Sequence, residues 1–435
     1  MQSSADVVIC GAGIAGAAAA YHLAVTQQFS RVVLVDEREP FTLTSDKGTQ
    51  GYRNWWPGPD DTMFKFVSRS IDLLEESARE NGNVFRMNRR GYLFATADED
   101  QMARLAATAH QVSGFGMGPV RMHRSAATYA PAPSDGFEEQ PIGADLLTGE
   151  QTCGAFPFLA PDTLGAVHVR RAGTLNAVAL GNWMITRAVA AGAQFVRGRV
   201  SAVATDGGRV REVRLADGST IATDRFVIAA GPALHQVGRL LGLDLPVVHE
   251  LHSKITIRDS GRAVPRDAPF VIWTDPVTVG GKALPGGVHM RPVDLAHGSE
   301  LYLIWTYETD VRPYVWPPSF DARYPDVVLE GSARMIPAMS AYAGTGSTAL
   351  LDGGYYCKTR ENRPLIGPLP VEGAFVVGAL SGMGVMSAHA CGELVSAHVA
   401  GTALPDYARW FLPSRYDDPQ YRALVEEWGP LVGQL

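Results

Sequence analysis

The hexapeptide Gly11-Ala12-Gly13-Ile14-Ala15-Gly16 constrains this chain more than any other feature. It follows Val7-Val8-Ile9-Cys10, a short apolar run with β-branched residues, and precedes Ala17 to Leu23, a strong helix former. A second apolar run, Arg31 to Val35, ends at Asp36. Strand, glycine turn, helix and strand thus fit into about 30 residues, which predicts a βαβ unit with two parallel strands. In a G-x-G-x-x-G turn the first glycine makes the tight bend, the second lets a pyrophosphate reach the backbone, and the third lets the helix pack closely. The helix start then offers free N–H groups and a partial positive charge to phosphates. Asp36, 20 residues after Gly16, is placed to accept from ribose hydroxyls and to repel a 2′-phosphate, which speaks against NADP. The motif alone does not separate FAD from NAD, since both carry the ADP half.

The same stretch invites a misreading, because Val7 to Val25 holds no Lys, Arg, Asp or Glu. A membrane span or signal core is rejected: the residues before it include Asp6 and no base, and Gly and Ala dominate rather than Leu and Ile. At 435 residues the chain is expected to form two or three domains and to bury a large ligand. The net charge of −7 comes with no run of five like charges, so neither a nucleic-acid groove nor a membrane surface is expected. Cys10, Cys153, Cys357 and Cys391 are scattered without a CxxC pair, which points to no zinc site and to a reducing cytoplasm. His249-Glu-Leu-His252 has histidines at i and i+3 rather than i and i+4, so no metal is expected.

Further along, Thr42 to Gly58 shows neither helical nor strand period, and irregular segments of this kind are usually functional. Thr62 to Asn81 reads as an amphipathic helix stopped by Gly82. Tyr92 to Thr96 reads as a strand, Asp98 to Gly114 as a helix, and Ala177 to Ala191 as a helix. Gln194 to Val203 and Arg209 to Leu215 read as strands joined by Asp206-Gly207-Gly208. Arg225 to Ala229 is another buried strand, and Lys254 to Ile257, Phe270 to Trp273 and Leu301 to Trp305 suggest a mostly antiparallel second domain. Phe375 to Gly378, then Ser381-Gly382-Met383-Gly384 and a helix from Met386 to Ala400, repeat the order strand, glycine turn, helix near the far end.

With these pieces in place the chain resembles the D-amino-acid oxidase, glycine oxidase and sarcosine oxidase superfamily of FAD-dependent oxidoreductases. The matching segments are the N-terminal G-x-G-x-x-G, Gly173-Thr174-Leu175-Asn176 before a helix, Ala229-Ala230-Gly231-Pro232, and Gly354 to Pro368 followed by Phe375 to Gly401. The resemblance implies an α/β fold: a Rossmann-like FAD-binding domain of the glutathione-reductase type, discontinuous over 1–85, 150–245 and 345–435, with a mostly antiparallel substrate domain over 86–149 and 246–344. It implies extended FAD, with Gly11, Gly13, Ile14, Ala15, Gly16, Asp36, Glu37 and Arg38 at the ADP half, Val200 near the adenine, and Ala230 and Gly231 along the pyrophosphate. Gly382, Met383, Gly384, Val385 and Met386 would lie beside the flavin ring, and Thr49 and Gly51 in the segment leading to it.

Arg53 is the expected active-site cation, Tyr356 an aromatic wall of the kind found in the sarcosine oxidase pocket, and Lys254 a flavin-facing lysine that assists oxygen in some relatives. Two departures bear on substrate. Tyr356 stands where the amino-acid oxidases carry a carboxylate-gripping arginine, and Met383 to Met386 hold no second basic anchor, which speaks against a small free amino acid. Tyr355, Tyr356 and Met386 would instead line a larger apolar site. Gly354 matches the flavin-bonding cysteine of sarcosine oxidase, and Thr42 to Gly58 contains no His, so FAD is expected to be noncovalent. The expected activity is that of an FAD-dependent oxidase or dehydrogenase on CH–NH donors: a C–H next to an amine nitrogen is oxidised by hydride transfer to flavin, giving an imine. The electron acceptor, O2 or a carrier, stays open. The alternatives are a non-catalytic FAD-binding assembly factor and oxidation of a larger intermediate without a free amino-acid carboxylate.

Overall fold

The computed structural model describes residues 4–295 and 298–428. Strand Val7–Cys10 runs parallel to Val32–Asp36, paired from Val7↔Val32 to Cys10↔Val35, with helix Ile14–Tyr21 between them. Both belong to a six-stranded sheet in the order Leu365–Pro368, Ala374–Gly378, Phe226–Ile228, Val7–Cys10, Val32–Asp36, Gln194–Arg197. All neighbours in it are parallel except the first pair. The strands are apolar on alternate and intervening positions alike because both faces are covered. Val7, Ile9 and Leu34 pack with the helices Ile14–Tyr21, Ala177–Ala190 and Gly384–Ala400, whereas Val8, Val33 and Val35 pack against Val203, Val213 and Ile221 of a three-stranded antiparallel layer. Gly11 adopts φ +112°, and a Cβ on Gly16 would sit 1.8 Å from the Gly11 carbonyl oxygen, so the turn and first helix close on each other only with glycine at both positions.

Gln194 to Val203 is not one strand. Gln194–Arg197 finishes the six-stranded sheet, the chain breaks at Gly198-Arg199, and Val200–Asp206 opens the antiparallel layer with Arg209–Leu215 and Thr220–Ala222. An apolar run does not record which sheet its residues join.

The second large sheet has nine strands, in the order Leu350–Lys358, Val248–Arg258, Gly298–Ile304, Val288–Leu295, Phe270–Trp273, Tyr92–Thr96, Gly165–Val169, Ala144–Thr148, Val120–Met122. Gly165–Val169 and Leu350–Lys358 come from stretches that the sequence reading set in the other domain, at 150–245 and 345–435; here they are hydrogen-bonded to Tyr92–Thr96 and Val248–Arg258. Helix Tyr324–Met335, absent from the sequence reading, covers one face of this sheet, where Leu93, Val271, Met290, Leu303 and Ile255 form a core with Val328 and Leu329. The opposite face carries the alternate residues and turns toward the first sheet.

Beneath the first helix, His22 Nε2 and His389 Nδ1 meet at 3.2 Å, and His389 Nε2 meets Ser77 Oγ at 3.2 Å. Burial pulls the His22 imidazole down to about 3 and that of His389 well below its usual value, so both are neutral in the folded protein. His168, buried beside Arg170, is likewise pulled down to about 3. The unfolded chain binds a proton at each site below about pH 6.5, which the native state refuses. Stability is therefore full above that pH and falls as the solution is acidified toward pH 3, by up to about 1.4 kcal/mol per pH unit for each such histidine. Urea unfolding at pH 7 and pH 5 checks this, and a stability unchanged over that interval would contradict it.

Candidate active site

A continuous cavity of about 1050 Å³ runs from the carboxyl ends of the first sheet's strands to the exposed face of the nine-stranded sheet. At the first end Gly11, Gly13, Ile14 and Ala15 line it. Gly13 precedes helix Ile14–Tyr21 without any side-chain cap, at φ −72° and ψ −175°, a backbone that any residue adopts. A Cβ there would meet only Ser45 Oγ, at 3.3 Å. A side chain here would need the Ser45 hydroxyl to give by a few tenths of an ångström, and no backbone stands in its way; Gly13 itself lines the cavity. The Ile14 N–H donates to Ser45 Oγ at 3.0 Å, a partner with no mark in the sequence reading. Gly16 does not line the cavity; it serves the helix packing described above.

Asp36 closes the end of its strand. Its carboxylate accepts from the Ala12 N–H at 2.7 Å and the Arg38 N–H at 2.9 Å, while burial raises its pKa from the ordinary value. Glu37, Arg38 and Val200 line the cavity beside it, with Gly198 and Arg199 in the gap between the two split strands. Ala230 and Gly231, the latter at φ +51°, line the opposite side. The late glycine turn supplies Gly382, Gly384, Val385 and Met386, and helix Gly384–Ala400 starts there with no side-chain cap, leaving a second set of free N–H groups at the cavity. Met383, expected beside them, is 1 % exposed and packs into the core instead, since the turn points its side chain away from the cavity.

At the other end, alternation along each strand sends Tyr92, Phe270, His289, His252 and Tyr356 to one face. Tyr356 stacks on His252 with ring centres 3.8 Å apart, and burial pushes its hydroxyl up to about 12. Thr49 and Gly51 line the cavity beneath, and strand Gly51–Arg53, paired with Ala172–Thr174, carries Arg53 into it. Arg53 is 4 % exposed, lies 5.0 Å from the Trp56 ring and 5.4 Å from the Tyr92 ring, and has no hydrogen-bond partner at Nε. Burial pulls its pKa down, and the group it meets is the Tyr92 hydroxyl rather than a carboxylate. Lys254 is placed differently from the sequence expectation. Its Nζ donates to the Asp46 carbonyl at 3.1 Å and lies 4.4 Å from the Tyr302 ring, so the 46–49 segment covers it and it does not line the cavity.

From this end the cavity continues outward between Trp55, stacked on Phe94 at 5.4 Å, and Ile272, toward Leu105 and Arg104 on helix Glu99–Gly114. The Gln111 side-chain amide ties that helix to the Pro57 carbonyl at 2.6 Å. Glu250, Lys358 and Thr306 also face the cavity, and none of them was marked by the sequence reading as part of a site. Among the described residues no cluster of His, Cys, Asp and Glu is arranged to hold a metal ion, and no helix is long and apolar enough to cross a membrane.

Two glycine turns at uncapped helix starts, an acidic residue ending the second strand, and a long cavity onto a second sheet coincide with a family model described as FAD dependent oxidoreductase (DAO), which matches residues 6–398. The chain belongs to the DAO family of FAD-dependent oxidoreductases. Among curated proteins it is similar to a mitochondrial sarcosine dehydrogenase of Mus musculus, 23% identical over 438 aligned positions, covering 97% of this chain and 41% of that protein. The chain therefore spans less than half the length of that relative. It is also similar to the uncharacterized oxidoreductase YurR of Bacillus subtilis (strain 168), 25% identical over 301 positions, with 66% of this chain and 72% of that protein covered. Among solved structures, L-proline dehydrogenase from P. horikoshii superposes with TM-score 0.75 at 20% identity, over 96% of this chain and 99% of that one. Glycine oxidase from Geobacillus kaustophilus does so with TM-score 0.75 at 18% identity, over 95% and 99%. FAD is thus the cofactor of this DAO-family protein. The residues fit it: Gly13 has no side chain between the helix start and the cavity, the helix starts at Ile14, whose N–H Ser45 takes, and at Gly384 have no capping side chain at the N-cap residue, and Asp36 ends the second strand, where a carboxylate would accept from a ribose.

Proposed function

We propose that this DAO-family protein oxidises the C–H bond next to the nitrogen of a secondary amine that carries a carboxylate and a bulky substituent, giving an imine. The observation that carries this reading is Arg53, a buried guanidinium facing the cavity with an unsatisfied Nε and no carboxylate of the protein beside it. A buried cation of this kind is costly unless a ligand anion completes it, and guanidinium suits carboxylate geometrically. FAD, when bound, would accept the hydride and with it both electrons of the oxidation. The chain's own residues hold the substrate: Arg53 its carboxylate, the Tyr356 and His252 rings its body, and the arm past Trp55, Phe94 and Ile272 its substituent. The names of the relatives, a sarcosine dehydrogenase and an L-proline dehydrogenase, agree with a secondary amine.

The cofactor is read as noncovalent, with Gly354 at the position of the flavin-bonding cysteine. Cys357 is buried and its thiol is pushed up to about 12, so it is a poor nucleophile. A reducing, cytoplasmic setting fits four free thiols. Product analysis tests the activity. Incubation with N-substituted glycines of increasing bulk should release a primary amine and a carbonyl compound by imine hydrolysis, detected by mass spectrometry. Unchanged substrate across the series, with FAD bound, would contradict the reading.

A further inference from the structure

Glu250 and His252 are two residues apart on strand Val248–Arg258, so both face the cavity, and Thr306 follows the neighbouring strand Gly298–Ile304 on the same side. His252 Nε2 lies 3.0 Å from Glu250 Oε2, and His252 Nδ1 lies 3.1 Å from Thr306 Oγ1. The other Glu250 oxygen is held by Lys358 Nζ at 2.5 Å. A carboxylate only accepts, so Nε2 carries the proton and donates to Glu250. Nδ1 is then bare and accepts the Thr306 hydroxyl. A hydroxyl, an imidazole and a carboxylate in this order form the unit that makes an imidazole an oriented base in nucleophilic enzymes.

We propose that Glu250, His252 and Thr306 work as a proton-accepting unit that strips the substrate's ammonium nitrogen before oxidation. The proposal rests on the amine reading above. A substrate nitrogen with an ordinary amine pKa of about 10 is neutral in roughly one molecule per thousand at pH 7, and only the neutral form has the lone pair that C–H oxidation next to nitrogen requires. In the step, the ammonium N–H bond breaks and its proton forms a bond to the Thr306 oxygen. The original Thr306 proton passes to His252 Nδ1, and the imidazole becomes an imidazolium held against Glu250. No electrons change hands, and the proton returns to solvent after turnover.

The surroundings set the balance of this unit. Lys254 shares the strand, Tyr356 and Lys358 face His252 from the strand Leu350–Lys358, and His289 faces it from the strand Val288–Leu295. Burial lowers the His252 pKa, which keeps the ring neutral before the step, while Glu250 at Nε2 opposes that fall and favours the imidazolium once the proton arrives. Burial alone would raise Glu250, but its hydrogen bonds from His252 and Lys358 hold it below the ordinary carboxylate value, so it stays ionised.

The test uses FAD-loaded protein mixed anaerobically with sarcosine, L-proline or N-benzylglycine from pH 6 to pH 10. Thr306→Val and His252→Gln should slow flavin bleaching at pH 7 by about 100-fold, with the deficit shrinking toward pH 10, where the amine is neutral in solution. Thr306→Ser should restore the parent profile. A Thr306→Val protein with the parent rate at all pH, or a deficit that is constant with pH, would overturn the proposal. If none of the three amines bleaches the parent protein, the amine reading fails separately. In that case nitrogen NMR of histidine-labelled protein still decides the unit: His252 must be the neutral Nε2–H tautomer at pH 7, and an imidazolium or an Nδ1–H tautomer would overturn it.

Discussion

Gly13→Val is expected to give a folded protein that no longer holds FAD, whereas Gly16→Val is expected not to fold. The two positions lie three residues apart in one motif, and the structure separates their causes. A Cβ at Gly16 would sit 1.8 Å from the Gly11 carbonyl oxygen, within the backbone itself, and no side-chain movement relieves that. At Gly13 the added carbon meets no backbone, only the Ser45 side chain at 3.3 Å, which has to give by a few tenths of an ångström, and φ is negative, so the apoprotein is expected to fold. The branches of valine then fill the space over the helix start where a pyrophosphate would take its amides. Losing two charge-assisted hydrogen bonds there costs about 4 kcal/mol, or roughly 10³-fold in affinity. Fluorescence titration with FAD measures it, with circular dichroism as the check on folding. A Gly13→Val protein that binds FAD like the parent would remove the basis for placing the diphosphate on this helix.

Arg53→Met is expected to move stability and ligand binding in opposite directions. Arg53 is buried, carries an unsatisfied Nε and lies against Trp56 and Tyr92, so the ligand-free protein bears the cost of a desolvated cation. Replacing it by an apolar side chain of similar length should stabilise the apoprotein by about 1 kcal/mol or more. The same change removes the proposed partner of a substrate carboxylate and should weaken binding of a carboxylate-bearing amine by about 3 kcal/mol, more than 100-fold. A neutral amine of the same shape should bind with nearly parent affinity. Arg53→Lys keeps the charge but not the planar fork and should recover only part of the loss. If Arg53→Met destabilises the apoprotein and leaves carboxylate affinity intact, Arg53 is a packing residue.

What the sequence makes legible is what is local in it. The βαβ end of the cavity was readable because strand, turn, helix and Asp36 lie within one short stretch, and helix Thr62–Asn81 was readable from its apolar period and its Gly82 stop at φ +68°. Gly382 and Gly384 to Met386 were likewise local, although a turn does not reveal that Met383 points into the core. The split at Gly198-Arg199 was hidden because a run of apolar residues looks the same in one strand as in two. The hydrogen-bonded group of Glu250, His252 and Thr306 was hidden for a different reason. Glu250, Thr306 and Lys358 are brought together by pairings such as Glu250↔Tyr356 and Lys254↔Ile304, which join segments about 50 to 100 residues apart. Lys254 shows the converse. It lies on the expected strand, yet the 46–49 segment, which has no strand or helix period, lies over it and removes it from the cavity.

The proposed activity rests on electron transfer from an amine to the bound flavin. Protein saturated with FAD, mixed without oxygen with N-benzylglycine and with the matching alcohol acid in which oxygen replaces nitrogen, gives the most direct reading. Loss of the visible flavin absorbance with the amine and not with its oxygen counterpart is the predicted result. A flavin that stays yellow with every carboxylate-bearing secondary amine, or that bleaches equally with the oxygen analogue, would contradict it.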